Sequence, residues 1–174
     1  MQRQRWVELD QRYFVSLFLG LGQGRLRQVS YWISKSADGP FYLLLAALLY
    51  WQGDESSVQF LTLLALAFCI ELPSYLVLKN LFRRARPAVA LSGQICAHIE
   101  PSDKFSLPSG HTAGAFVLVT VVALCAPAWL PLLILWGLAV GMSRVLLGVH
   151  FPGDILAGIA LGSSSTLLAA FSLV

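Results

Sequence analysis

The feature that most constrains this chain is a series of long apolar segments separated by short polar turns. Hydrophobic residues make up 57% of the 174 residues and charged residues 12%, with a mean hydropathy of +0.71. Soluble domains carry about 25% charged residues. Only helices and closed barrels can cross the hydrocarbon core of a bilayer, and a helix needs about 20 apolar residues to do so. Because the apolar segments are continuous rather than alternating, they predict an all-α, polytopic membrane helical bundle.

The pattern predicts about six helices in a single domain over residues 1–174, and five of these helices are clear. The first apolar segment, 13–22, is short and either spans the membrane or lies at its interface. An amphipathic segment at 24–37 is typical of a helix on a membrane surface. The apolar run at 39–52 is also short, so we expect it to recruit part of that segment. The other predicted helices lie at 58–82, 109–126, 132–147 and 153–174, with one long loop at 86–108.

Charge and cysteine content argue against several other classes of protein. The formal net charge of +3 is too small to indicate a nucleic-acid partner, and we expect none. The three cysteines have no CxxC spacing, so they indicate neither a disulfide framework nor a zinc site. The N-terminal residues do not resemble a cleavable signal peptide.

Three polar motifs are expected to meet at one end of the predicted bundle. The helix at 58–82 leads into KNLFRRARP at 79–87, and the helix at 109–126 begins after PSGH at 108–111. The last two helices are joined through SRVLLGVHFPGD at 143–154. Following the helices back and forth across the membrane places all three motifs on the same face, where we expect a polar site.

Basic side chains in these motifs indicate an anion-binding site. Positive charge flanking a membrane helix is common, so Lys79 and Arg86 alone would not indicate a binding site. Arg144, however, lies near the end of an otherwise apolar helix, and a buried guanidinium needs an anionic partner. The planar fork of arginine matches phosphate oxygens in a two-point contact. Spacing alone adds Arg83, four residues after Lys79, as a further candidate.

The PSGH motif is a second candidate for binding the anion. Ser109 is a residue type that caps helices, and the N-terminus of a helix presents free backbone N–H groups that favour phosphate. Gly110 would let an anion approach the backbone closely.

The histidines add chemistry to this anion site. His150 and Asp154 are four residues apart, so the carboxylate can fix the tautomer of the imidazole and leave its other nitrogen free as a nucleophile. His111 is an interfacial histidine on the simplest interpretation, but next to an anion site it is positioned to protonate a leaving oxygen. A nucleophile, cationic clamps and an acid are what phosphoryl transfer requires.

Three other interpretations of these residues are a zinc site, a serine hydrolase and a transporter. His111, His150 and Asp154 could ligate zinc, but the surrounding cations would repel a metal ion, so no metal is expected. Ser109 and His111 are two residues apart at a helix start, where side chains do not face each other, which argues against a serine hydrolase. An anion or phospholipid transporter would explain the cations but not the His150–Asp154 pair, and it remains the alternative.

The three motifs resemble those of a known family. K-x6-R-P at 79–87, P-S-G-H at 108–111 and S-R-x5-H-x3-D at 143–154 are similar to the three signature motifs of the type 2 phosphatidic acid phosphatase superfamily. The resemblance implies a six-helix membrane fold and cofactor-free, metal-independent hydrolysis of a lipid phosphate or diphosphate. It implies that His150 forms a phosphohistidine, Asp154 orients it and His111 protonates the leaving group. It further implies that the phosphate is held by Lys79, Arg86, Ser109, Gly110 and Arg144.

The same resemblance suggests a substrate type and a location. Compact bacterial members of the superfamily resemble undecaprenyl-diphosphate and phosphatidylglycerophosphate phosphatases, which gives a lipid phosphate substrate in the inner membrane. Such relatives generally face the periplasm, and we expect the same here, although the basic residues on the catalytic face would by themselves favour the cytoplasm. The oligomeric state is not indicated.

Overall fold

The computed structural model describes residues 2–173, with side chains from residue 4 onward, and this part of the chain is all-helical. The eight α-helices run in chain order as follows: α1 Gln2–Leu21, α2 Gly24–Lys35, α3 Gly39–Gln52, α4 Glu55–Phe82, α5 Pro87–Ala90, α6 Gly110–Cys125, α7 Leu130–Leu146 and α8 Pro152–Phe171. A short 3-10 turn, Pro127–Trp129, joins α6 to α7. The predicted membrane helical bundle is confirmed, and residue 174, the last of the final predicted helix, lies outside the described residues.

The helix count differs from the predicted six. Among the described residues, three segments are long and apolar enough to cross a membrane, namely Glu55–Ala90, Pro127–Leu146 and Pro152–Phe171. α6 is equally apolar but shorter, at 16 residues. Residues 2–173 nevertheless form seven helices of 12 residues or more, because α1 and α2 are separate helices in addition to α3.

The first helix is longer than the apolar segment that predicted it. α1 extends over 20 residues and includes the polar stretch before residue 13. Phe14 and Phe18, one turn apart, are 0% and 3% exposed, and the Phe14 ring packs edge-on against Phe151 at a centroid distance of 5.2 Å. These two rings hold α1 against the link between α7 and α8, so the helix does not depend on a continuous apolar sequence.

The expectation that the run at 39–52 recruits the helix before it was wrong. α2 ends at Lys35 and α3 begins at Gly39, with a tight turn between them. Ser36 Oγ donates to the carbonyl of Ile33 at 2.7 Å and accepts a hydrogen bond from Trp136 Nε1 of α7 at 2.9 Å. Proline in the first turn of α3 has no N–H to continue the α2 ladder. The turn is therefore fixed against α7.

Close packing between α6 and α8 sets the position of the PSGH motif. A Cβ added at Gly158 would lie 2.7 Å from the carbonyl oxygen of Ser109, and one at Gly162 would overlap the carbonyl oxygen of Ala113. Small residues four apart allow two helices in a membrane to approach at backbone distance. The N–H of Ser109 donates to the carbonyl of Asp154 at 3.1 Å, so the start of α6 is joined directly to the start of α8.

Candidate active site

The three motifs meet at one end of the bundle, where α4 ends, α6 begins and α7 joins α8. Most of the predicted site residues are almost fully buried there, with exposures of 5% or less: Lys79, Arg86, Ser109, Arg144, His150 and Asp154. Burial of this many charged groups is costly unless each is paired. The partners of these groups therefore define what the site can do.

Asp154 is the most deeply buried of the charged residues, at 0% exposure. Its carboxylate accepts hydrogen bonds from the backbone N–H of Phe151 at 2.8 Å and from the hydroxyl of Ser106. The Nδ1 atom of His150 lies 3.6 Å from Oδ2 of Asp154. That distance is longer than a hydrogen bond, and Oδ2 accepts from the two other donors.

The other nitrogen of His150 faces a cation. Nε2 lies 3.4 Å from NH1 of Arg86, which donates to the carbonyl of Val149 at 2.7 Å. A guanidinium can only donate, so Nε2 is the acceptor nitrogen and the ring proton belongs on Nδ1, toward Asp154. Burial lowers the pKa of His150 to about 4, against the opposing effect of Asp154 and with the help of Arg86 and Arg144. The imidazole is therefore neutral at pH 7, with a lone pair on Nε2.

Asp103, which sequence reasoning missed, occupies the centre of the cationic clamp. Its carboxylate accepts from Lys79 Nζ at 2.6 Å, from Arg86 NH2 at 2.8 Å and from the Tyr75 hydroxyl at 2.8 Å. Burial would raise the pKa of Asp103, but these three hydrogen bonds outweigh it and lower the pKa to about 2. Lys79 and Arg86 are thus arranged to hold one carboxylate beside His150.

The two arginines between Lys79 and Arg86 have different positions from those that spacing suggests. α4 ends at Phe82, and Arg83 adopts a left-handed conformation with φ of 46°. The Arg83 side chain therefore leaves the helical face of Lys79 and donates to the carbonyl of Asn80 at 2.9 Å. Its neighbour Arg84, which the motif spacing does not single out, points into the site instead.

Arg84 connects the N-terminal helix to the buried carboxylate. Its NH1 lies 2.8 Å from Oδ1 of Asp154 and its NH2 lies 2.5 Å from Oδ2 of Asp10. Asp10, on α1, also accepts from the N–H of Gly153 at 2.8 Å, and the guanidinium lies over the Phe151 ring at 4.4 Å. No motif could reveal this link, because Asp10 and Asp154 are 144 positions apart in the chain.

Ser109 and Gly110 occupy the start of α6 as expected, but with different contacts. Ser109 has the extended backbone of an N-cap, yet its side chain makes no capping hydrogen bond. Its Oγ accepts instead from the hydroxyl of Thr112 at 2.9 Å. A Cβ at Gly110 would lie 3.0 Å from the Tyr75 ring, so a larger residue here would press against α4.

His111 and Arg144 line a cavity of about 430 Å³ next to this clamp. NH1 of Arg144 donates to Ser34 Oγ at 2.6 Å, while its buried Nε has no hydrogen-bond partner among the described residues. His111 Nε2 lies 2.9 Å from Oδ1 of Asp38. Ser34 and Asp38 belong to α2 and the turn after it, which sequence reasoning did not connect with the site.

Charges in the cavity wall and in the clamp act on the same histidine, His150. The charge of Arg144 in the cavity wall and the charge of Arg86 in the clamp both lower the pKa of His150. Within residues 2–173, no group of three or more His, Cys, Asp or Glu side chains could hold a metal ion. The site combines two histidines with three cations that are suited to oxyanions.

These features define a class of protein: a helical integral membrane protein with two histidines and an oxyanion clamp at one end of its bundle. The model of the PAP2 superfamily matches residues 56–172, and the chain belongs to this superfamily.

Curated relatives and a solved structure agree with this assignment. The chain is 31% identical over 127 residues to the putative undecaprenyl-diphosphatase YbjG of Escherichia coli, covering 72% of this chain and 63% of that protein. It is 37% identical over 97 residues to phosphatidylglycerophosphatase B of Bacillus subtilis, covering 49% and 44%. Matches to such curated relatives span from 27% to 63% of their length. The crystal structure of LpxE from Aquifex aeolicus shares the fold, with a TM-score of 0.80, 23% identity and coverage of 92% of this chain and 93% of that chain.

Proposed function

We propose that this chain is a metal-independent membrane phosphatase that hydrolyses a lipid phosphate or diphosphate through a phosphohistidine at His150. One observation carries the proposal: Lys79 and Arg86 hold the carboxylate of Asp103 at 2.6 and 2.8 Å, next to the acceptor nitrogen of His150. A carboxylate and a phosphate present oxygens that the same charged donors recognise. A phosphate that replaced the Asp103 carboxylate would therefore lie beside the nucleophile.

In the first step, Nε2 of His150 attacks phosphorus and the bond from phosphorus to the leaving oxygen breaks. His111 gives a proton to that oxygen, and such general acid catalysis contributes about 10²–10⁴-fold in rate. Asp154 stabilises the positive charge that develops on the His150 ring. The phosphate oxygens are held by Lys79, Arg86, Arg144 and the first turn of α6 at Ser109 and Gly110, and losing one such contact costs about 3–4 kcal/mol of barrier.

In the second step, water attacks the phosphohistidine and its proton passes to His111. The phosphorus–nitrogen bond breaks, inorganic phosphate leaves, and both histidines return to their starting states. The cationic surroundings of His150 explain why a covalent histidine intermediate suits this site better than a bound metal ion.

The names of two relatives suggest a substrate type. Because one relative is named for undecaprenyl diphosphate and another for phosphatidylglycerophosphate, we propose a lipid of one of these types as substrate. We further propose that the chain lies in a bacterial inner membrane with its site toward the periplasm.

Phosphate release from purified full-length protein in detergent and EDTA tests the proposed function. We expect turnover of a diphosphate or monophosphate lipid, abolished in His150→Ala and reduced by about 10²-fold or more in Asp154→Asn, because Asn no longer fixes the tautomer. Size-exclusion profiles would confirm that the variants are folded. No release from either lipid class, or anion or lipid transport that survives in His150→Ala, would favour the transporter instead.

A further inference from the structure

Asp38 is a candidate for a further role in this reaction because of where its turn is fixed. It follows Ser36 and Ala37 in the turn between α2 and α3, which is hydrogen-bonded to Trp136 of α7 at 2.9 Å. Ala37 is 5% exposed. The turn lies before residue 56, where the PAP2 superfamily match begins. The position of Asp38 is therefore set where this turn of the N-terminal part packs against α7.

The carboxylate of Asp38 does not perform the usual task of its position. Asp38 is the N-cap of α3, yet its side chain makes no capping hydrogen bond. Instead Oδ1 lies 2.9 Å from His111 Nε2, and Oδ2 accepts from Lys35 Nζ at 2.9 Å. Burial opposes ionisation of Asp38, but the hydrogen bonds from Lys35 and His111 outweigh it and lower the pKa of Asp38. An ionised carboxylate only accepts, so Nε2 of His111 carries a proton.

The charges around His111 show why such a partner would matter. The charged groups that line the cavity beside His111 are Arg144 on α7, Lys35 on α2, Glu100 in the long loop and Asp38 itself. The uncharged phenols of Tyr42 on α3 and Tyr75 on α4 approach the first turns of α6. Asp38 is the one carboxylate in the described structure within hydrogen-bonding distance of the His111 ring.

We propose that Asp38 is a positioning residue for His111: it holds Nε2–H and stabilises the imidazolium, so that Nδ1–H is the proton given to the leaving oxygen. After transfer, His111 is neutral with its remaining proton on Nε2, still bound to Asp38. Nδ1 then accepts the proton of the attacking water, which restores the imidazolium. This inference rests on the proposed function, because it assigns Asp38 a part in the acid step of that reaction.

Two substrates separate a catalytic effect from a structural one. A lipid phosphate releases an alkoxide that needs a proton, whereas p-nitrophenyl phosphate releases a phenolate that is stable without one. We expect Asp38→Asn to lower kcat for the lipid phosphate by about 10–100-fold, as for other carboxylates that orient a histidine. The loss for p-nitrophenyl phosphate should be less than about threefold. The alkaline limb of the kcat profile for the lipid should also move toward lower pH.

A matched control and a double variant complete the experiment. Asp54 is the N-cap of α4 and does cap its helix, accepting from the N–H of Ser57 at 2.6 Å. Asn caps as well as Asp, so Asp54→Asn should leave both activities unchanged. In a His111→Asn background, Asp38→Asn should cause no further loss of kcat, because the two residues act as one unit.

The outcomes are distinguishable. Equal losses for both substrates, an unshifted pH profile, or additive losses in the double variant would overturn the inference and leave the phosphatase intact. Wild-type protein that releases phosphate from neither substrate would overturn the proposed function itself. If Asp38→Asn fails to fold, Asp38→Glu, which keeps the carboxylate, replaces it. The ratio of activity on the lipid phosphate to activity on p-nitrophenyl phosphate should then stay within about threefold of the wild-type ratio. A larger fall of this ratio would overturn the inference.

Discussion

At the scale of single residues, the main feature of the site is that all of its cations except Arg144 are already paired with protein carboxylates. Lys79 and Arg86 bind Asp103, and Arg84 binds both Asp10 and Asp154. Removing one partner of a buried ion pair costs more free energy than the intact pair contributes, because the remaining charge is left uncompensated. In the proposed reaction a substrate phosphate competes with Asp103 for the clamp, so we expect Asp103 to weaken the binding of anions there.

Replacing Asp103 tests this competition directly. In Asp103→Asn the clamp keeps a side chain of the same shape but loses the negative charge that holds Lys79 and Arg86. A hydrogen bond to a charged group is worth about 1.5–3 kcal/mol, so we expect orthovanadate to inhibit the variant at a concentration lower by about tenfold or more. Weaker inhibition would mean that Asp103 orients the two cations instead of competing for them.

Arg83 and Arg84 offer a matched pair of variants. Arg84→Gln removes the cation that faces the fully buried Asp154, so we expect the protein to unfold at a lower temperature and to lose most of its turnover. Arg83→Gln removes a side chain that is exposed and bonded to one backbone carbonyl, so both properties should stay near those of the wild type. Thermal unfolding in detergent and phosphate release are the measurements, and equal effects of the two changes would contradict the structural assignment.

The residues that sequence could predict are those that carry the chemistry within short motifs. His111, His150 and Asp154 stand out because an imidazole or carboxylate is unusual beside a long apolar helix. Asp38 and Asp103 do not, because an aspartate before Gly-Pro or in a loop is typical of a cap or turn. Ser34, one of the serines within α2, does not stand out either. Their partners are 73, 24 and 110 positions away, and only the folded chain brings these pairs together.

At the scale of elements, the geometry of the site depends on how closely α6 and α8 approach. Gly158 and Gly162 present no side chain to α6, so the backbone of Ser109 and Ala113 rests directly on α8. This approach fixes His111 on α6 relative to the His150–Asp154 pair at the start of α8. Sequence predicted these two helices within one to three residues at each end, but not the glycine contact, because apolar periodicity does not show which helices are neighbours.

Gly162→Ala tests the contact between α6 and α8. The new methyl group would overlap the backbone carbonyl of Ala113, which cannot rotate away, and overpacking of this kind costs about 1–3 kcal/mol. We expect a lower midpoint of thermal unfolding and a lower kcat, because α6 must shift with His111. Gly20 on α1 has open space around its Cβ position, so Gly20→Ala should change neither quantity. If Gly162→Ala had the same unfolding midpoint and kcat as Gly20→Ala, the helices would not be held this tightly.

At the scale of the whole molecule, the turns at one end of the bundle carry no basic residues. Residues 36–78, 105–143 and 145–174 contain no Lys or Arg, so the turn before α4 and the turn between α6 and α7 are without positive charge. The positive-inside rule would place the opposite, catalytic end in the cytoplasm. Five of the basic side chains at that end, however, are engaged by partners in the site: Lys35, Lys79, Arg84, Arg86 and Arg144.

Two of the protein's own cysteines can decide between these orientations. Cys96 lies in the loop at the catalytic end and Cys125 closes α6 at the other end, and both are free and exposed. In single-cysteine variants we expect a membrane-impermeant maleimide added to intact spheroplasts to label Cys96 and not Cys125, because charges committed to the site do not act as topological signals. Inverted membrane vesicles should give the opposite pattern. Labelling of Cys125 in spheroplasts would place the site in the cytoplasm, and an enzyme in that orientation would reach only lipid phosphates of the inner leaflet.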